Sequence, residues 1–170
     1  MRRTPPKSLE RTAYHEAGHV VIAHWLQKRF RYVTIKEDDE NQGHMKNVPT
    51  GRRPDFNRGG YELRLEKIIM VKLAGPEAES VFAGRRNRAG ASDDYRDALD
   101  LAACRSPETD DEENYLYLKW LAYRTRKMLK TPYLWFAVEA LARELLIKET
   151  IKYNEAREII QKALKDSFKP

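Results

Sequence analysis

In the stretch TAYHEAGHVVIAHWL, His15 and His19 stand four residues apart with Glu16 between them. Positions i and i+4 of a helix lie on one face about one turn apart, so both imidazoles can converge on one ion. Zinc accepts this arrangement, and Glu16 then sits where a carboxylate can take a proton from water. The bland alternative is a structural helix with surface histidines, because short motifs recur by chance. His24 does not extend the set: it follows His19 by five residues and His15 by nine, which turns it well away from both. The longer HExxHxxGxxH pattern is excluded as well, since Ile22 and Trp25 occupy the places of its glycine and third histidine.

A catalytic zinc takes three protein ligands and keeps one position open, so a further ligand must come from elsewhere in the chain. The candidates are carboxylates: Glu77 and Glu79 after Pro76, and Asp93, Asp94 and Asp97 after Ser92. Spacing alone does not choose among them. Asp93 and Asp97 also suit the N-terminal turn and surface of a helix, and Glu77 or Glu79 could orient a ligand histidine through its second nitrogen or equally serve as a solvated or buried structural acid.

The elements that must hold these residues are mostly helical. Ser8 can cap a first helix running to about Gln27, with Leu9, Ala13, Ala17, Val20 and Val21 at helical spacing. FRYVTIKE alternates as a short half-buried strand, and residues 40–60, rich in Gly and Pro, read as an irregular or weakly stranded excursion. A second helix runs from about Tyr61 and is expected to end or kink at Gly75-Pro76, with PEAESVFAG a separate short helix stopped at Gly84. Ser92 can cap a third helix whose first turn holds Asp93 and Asp94, and Ser106-Pro107 ends it. Helices over about 109–130, 132–149 and 154–167 complete the chain, giving a mainly α class with a small β-sheet (α+β).

A chain of 170 residues fits a single domain, and 41% hydrophobic residues support a folded core. The longest apolar runs are far short of the roughly 20 residues needed to cross a bilayer, and MRRTPPKSLE lacks an apolar signal core. One cysteine, Cys104, rules out an internal disulfide framework and fits a reducing, cytoplasmic location. The net charge of +6 comes from scattered clusters such as AGRRNRAG, interleaved with acidic runs such as PETDDEEN. No nucleic-acid-binding motif accompanies them, so a solvated mixed-charge surface is expected and no nucleic-acid partner.

Four ordered blocks carry a resemblance: AYHEAGHVVIAHWL, VTI, KLAGPEAESVFAG and AGASDDYRDALDLA. They resemble, in the same order and at similar separations, the HEAGH, VTI, LAGRAAEELIFG and TGASNDL blocks of the peptidase domain of the FtsH family of ATP-dependent zinc proteases. The tail AVEALARELLIKETIKYNEAREI is also similar to the family's closing pattern, so the likeness spans about residues 9–164. It implies a zincin-like HExxH metallopeptidase domain over 1–170, with a zinc-binding part at about 1–105 and a C-terminal helical bundle over about 106–170. It makes His15, His19 and Asp94 ligands of one catalytic Zn2+ and Glu16 the catalytic glutamate, with Asp93 the first rival to Asp94. Zinc would polarise the scissile carbonyl of an unfolded or flexible polypeptide, while Glu16 passes a proton from water to the leaving amine. Tyr95, His44 and backbone amides are candidate oxyanion donors. The VTI strand, placed at a sheet edge as in the family, would bind extended substrate by backbone pairing.

The chain departs from the family in having no GxxxxGK[ST] phosphate-binding loop and no membrane segment. Three readings stay open, an excised domain, a natural stand-alone peptidase, or a subunit that meets a separate AAA ATPase partner; the initial Met favours a natural start, and a homo-oligomer is also open. The basic loop NVPTGRRPDFNRGG is expected to be solvated, with selection of acidic substrates as its rival reading. Two other functions stay open: a non-cleaving zinc-fold protein-interaction module, and a regulatory protease of another HExxH family.

Overall fold

The computed structural model describes residues 7–36, 44–47, 60–84, 92–106 and 108–168. Six helices and three strands follow in the order α1 (Lys7–Trp25), β1 (Phe30–Thr34), β2 (His44–Asn47), α2 (Tyr61–Ala83), α3 (Ser92–Ala103), α4 (Asp111–Leu129), α5 (Pro132–Lys148), β3 (Thr150–Lys152) and α6 (Tyr153–Asp166). The class is α+β, mainly helical, with one small sheet.

Two apolar cores are built on α2. On one side Val71, Ala74 and Ala78 join residues of α1, β1, α5, β3 and α6. On the other, Leu65, Ile69, Met70 and Leu73 pack with Ala98 and Ala102 of α3 and Leu118 and Leu121 of α4. A helix covered on both sides is apolar nearly all round rather than along one stripe. This accounts for the buried run from Leu73 to Ser80.

The same burial corrects the expected break at Gly75-Pro76. Helix α2 runs unbroken from Tyr61 to Ala83 with Pro76 inside it, so PEAESVFAG is its last part and not a separate element. An interior proline loses one backbone hydrogen bond, a cost of about 3 kcal/mol in isolation. Packing against both cores outweighs that penalty. Gly84 ends the helix as expected, at a left-handed φ of 68°.

The sheet has the order β2-β1-β3, with β1 antiparallel to both neighbours. Val33 lies opposite Met45 on one side and Ile151 on the other. The expectation that this strand lies at the sheet edge is therefore corrected: β1 is central, and its backbone groups are engaged on both sides. The three-residue β3 was not expected from the sequence; it closes onto β1 where the Glu149 carbonyl accepts from the Ile35 N–H at 2.9 Å. Within 40–60 the structure describes only β2 and Gly60, so the basic loop falls largely outside the described residues.

Other boundaries moved by a residue or two. Helix α4 is capped by Asp110, whose side chain accepts from the Glu113 N–H at 2.7 Å, and α5 opens with Pro132 at its first turn. The Ser92 side chain and Pro107 lie outside the described residues.

Helices α1 and α2 approach closely at Gly18. A Cβ placed on Gly18 would stand 2.4 Å from the Ala78 Cβ and 2.5 Å from the Ala74 carbonyl oxygen. Backbone cannot yield as a flexible side chain does. Although alanine is the better helix former by up to about 1 kcal/mol, overpacking here is expected to dominate, and Gly18→Ala should lower unfolding stability by about 1–3 kcal/mol in urea titrations, with Gly18→Val worse.

Candidate metal centre

Helix α1 presents His15 and His19 on one face, ring centroids 4.8 Å apart and nearly edge-on. The first turn of α3 brings Asp94 between them. Its Oδ2 lies 2.9 Å from His15 Nε2 and 3.2 Å from His19 Nε2. Ligand atoms from the three residues fall within 4.8 Å of one another, a potential metal group among the described residues.

The remaining ring nitrogens are held from α2. His19 Nδ1 donates to the Val71 carbonyl at 2.7 Å, which turns Nε2 toward Asp94. His15 Nδ1 faces Glu79 Oε2 at 3.4 Å, a longer contact of the same kind. Histidines that bind metals are commonly anchored in this way through the second nitrogen. Beneath the rings passes Gly75: a Cβ there would lie 2.3 Å from His19 Nε2 and 2.6 Å from His15 Nε2. Two imidazole nitrogens and a carboxylate oxygen also match the donor types zinc takes. The residues present thus fit the ion in donor chemistry and in room.

Glu16 is buried on α1 next to His15. Among the carboxylates that spacing left open, Asp93 is exposed and pairs with Arg96 at 3.1 Å, and Asp97 pairs with Lys72 at 2.8 Å. Glu79 meets the expectation of an acid behind a histidine. Glu77 does not: fully buried, it accepts from Tyr95 Oη at 2.6 Å and from Arg126 Nε, while Arg126 Nη2 donates to Ser80 Oγ at 2.9 Å. Tyr95, a candidate oxyanion donor, thus spends its hydroxyl proton on Glu77 and ties α3 to α2 one residue from Asp94. The His44 side chain lies outside the described residues. His24, half-buried at the end of α1, stays apart from the cluster, and burial together with Arg157 pushes its pKa down.

Sequence reasoning missed the Val71 carbonyl, Lys72 and Arg126. The carbonyl has no sequence signal. Arg126 had one, since it lies one helical turn after Ala122 on the inward side of α4, where an arginine needs a buried acid.

Two imidazoles and a carboxylate able to hold a metal, with a glutamate adjacent, are a grouping of the kind metallopeptidases use. The chain belongs to peptidase family M41, whose family model matches residues 2–105. It is 36% identical over 99 residues to the ATP-dependent zinc metalloprotease FtsH of Thermus thermophilus, and 37% identical over 97 residues to the protein of that name in Syntrophus aciditrophicus. The matches cover 57% and 55% of this chain but only 15% and 12% of those relatives. No helix among the described residues is long and apolar enough to cross a membrane.

His15, His19 and Asp94 attract one another by charge. Burial opposes protonation of His15, but hydrogen bonds to Asp94 and Glu79 outweigh it and raise its pKa from 6.5 to about 10. Burial likewise opposes ionisation of Asp94, yet His19 and His15 hold it far below the usual carboxylate range. The His15 contribution to stability is full below pH 6.5 and lost as pH rises through about 10, and that of Asp94 is present above 3.8 and lost as pH falls toward its lowered value. Chelator-treated protein should therefore lose melting temperature between pH 7 and about 10 in a scan of Tm against pH, and Asp94→Asn should flatten that fall.

Gly75→Ala separates the centre from the fold. Alanine suits a helix better by about 0.5–1 kcal/mol, so the variant should remain folded by circular dichroism, while zinc affinity measured by competition with a chromophoric chelator should drop at least tenfold, roughly 1.4 kcal/mol or more.

Proposed function

We propose that this chain is a zinc-dependent endopeptidase domain that hydrolyses peptide bonds in unfolded or flexible polypeptides. The observation that carries the reading is the convergence of His15, His19 and Asp94 from two helices, with Glu16 buried beside them. In this reading residues 1–170 form a single zincin-like HExxH metallopeptidase domain, with a zinc-binding part at about 1–105 and a helical bundle over about 106–170. The three ligands hold one Zn2+.

When bound, zinc supplies a Lewis acid that polarises the scissile carbonyl and makes water a competent nucleophile near neutral pH. Glu16 takes a proton from the attacking water and delivers it to the leaving amine, serving first as base and then as acid. The Val71 carbonyl and Glu79 hold the two imidazoles in register, and the Tyr95–Glu77–Arg126 chain keeps the first turn of α3, and with it Asp94, in place. Backbone pairing of an extended substrate, no longer available at the central β1, falls to β2, an outer strand of the described sheet that contacts α1. ATP-driven unfolding would come from a separate AAA ATPase partner, and the setting is cytoplasmic.

Cleavage of casein by zinc-loaded protein tests the reading. Glu16→Gln should retain zinc and lose about 10²–10⁴-fold in rate, the span expected for a general base, whereas Asp94→Asn and His15→Ala should lose the metal itself. Zinc-loaded protein that binds casein without cutting it would mark a non-cleaving interaction module. Unchanged zinc content in Asp94→Asn would move the third ligand elsewhere.

A further inference from the structure

Between Ile69 and Ser80 of α2 every residue is buried except Lys72. Its side chain is 31% exposed, and the ammonium sits between two acids of α3, 2.8 Å from Asp97 Oδ2 and 3.8 Å from Asp94 Oδ1. Asp94 therefore divides its two oxygens. Oδ2 faces His15 Nε2 at 2.9 Å and His19 Nε2 at 3.2 Å, while Oδ1 faces the ammonium.

Docking α3 on α2 places the backbone of Asp94 but leaves its carboxylate free to turn, because the torsion from Cβ to an sp² carboxyl carbon is broad. A cation on the far oxygen removes that freedom. Lys72 is held in turn by its shorter bond to Asp97, which lies one turn beyond Asp94 on the same side of α3. Each of the three candidate ligands then has one partner from α2: the Val71 carbonyl for His19, Glu79 for His15 and Lys72 for Asp94. An ammonium at this place acts in two opposed ways. Its charge repels a divalent ion, whereas its hold on Oδ1 prepares Oδ2 for one. Asp97 decides between them, since a carboxylate 2.8 Å from the ammonium cancels most of its charge as felt from the histidine side. What remains is the hold on the Asp94 carboxylate.

We propose that Lys72 is a positioning residue of the metal centre: it fixes the Asp94 carboxylate so that Oδ2 is aimed at His15 and His19 before an ion arrives, and Asp97 fixes Lys72. The inference rests on the reading of His15, His19 and Asp94 as the ligands of one Zn2+. A plain surface ion pair between Lys72 and Asp97 would contribute little to stability and leave the centre untouched. Two substitutions separate these cases. Lys72→Met removes the ammonium and keeps the length of the stem, and Lys72→Arg keeps a cation that can reach both acids.

Metal binding by the full chain can be read in two ways that need no substrate: zinc affinity, by competition with a chromophoric chelator, and the visible absorption of Co2+-loaded protein, whose bands report the arrangement of the ligands. Lys72→Met should weaken zinc binding at least tenfold, as loss of a group behind a metal ligand commonly does, and should alter the Co2+ bands. Lys72→Arg should bring both close to the values of the unaltered chain. In an Asp94→Asn background, where Co2+ titration reads the weak affinity left to the two histidines, adding Lys72→Met should cause no further loss. Circular dichroism should be unchanged throughout, because Lys72 lies outside both cores. Zinc held equally well or more tightly by Lys72→Met, or the same loss with and without Asp94, would overturn the positioning role and leave the metal reading intact. Unaltered protein that takes up neither ion would overturn both.

Discussion

The backbone contact between α1 and α2 is the constraint from which the rest of the structure follows. Gly18 allows α1 to lie directly against Ala74 and Ala78, and on either side of it in sequence His15 and His19 reach over Gly75. Small residues at the crossing thus do for the site what caps and turns do elsewhere: they set a distance that polar atoms then use. Pro76, buried a residue beyond Gly75, is tolerated because the surrounding cores already decide the path of the chain.

Around that crossing charge is arranged in two layers. The inner layer is His15, His19 and Asp94, whose mutual attraction shows in the raised His15 and the lowered Asp94. The outer layer is Glu79 behind His15 and Glu77 between Tyr95 and Arg126. A buried carboxylate carries a large desolvation penalty, and Glu77 is fully buried, so its two donors from α3 and α4 are what make its position tenable. Through them the second core is fastened to the helix that also borders the first.

Much of this was legible in the chain. The two histidines at helical spacing announced both α1 and its ligand face, and the Gly84 stop and α+β class followed from local chemistry. The third ligand was different in kind. Asp93 and Asp94 are both first-turn acids and Asp97 lies one turn on, and only the docking of α3 on α2 turns Asp94 inward while Asp93 meets Arg96 and Asp97 meets Lys72. Likewise the break at Pro76 was a sound inference from backbone sterics that tertiary burial overrode. Strand β3 is too short to show a period, and without it β1 could not be recognised as central.

The ligands of the proposed ion come from α1, which lines the first core, and from α3, which belongs to the second. A metal held between them is therefore a crosslink as well as a reagent. It joins positions roughly seventy-five residues apart, and in a chain-entropy picture closing a loop of that length restricts the unfolded ensemble by about 4 kcal/mol. Loading the centre would then bind the two cores into one cooperative unit, so that occupancy of the site and the resistance of the chain to unravelling rise and fall together.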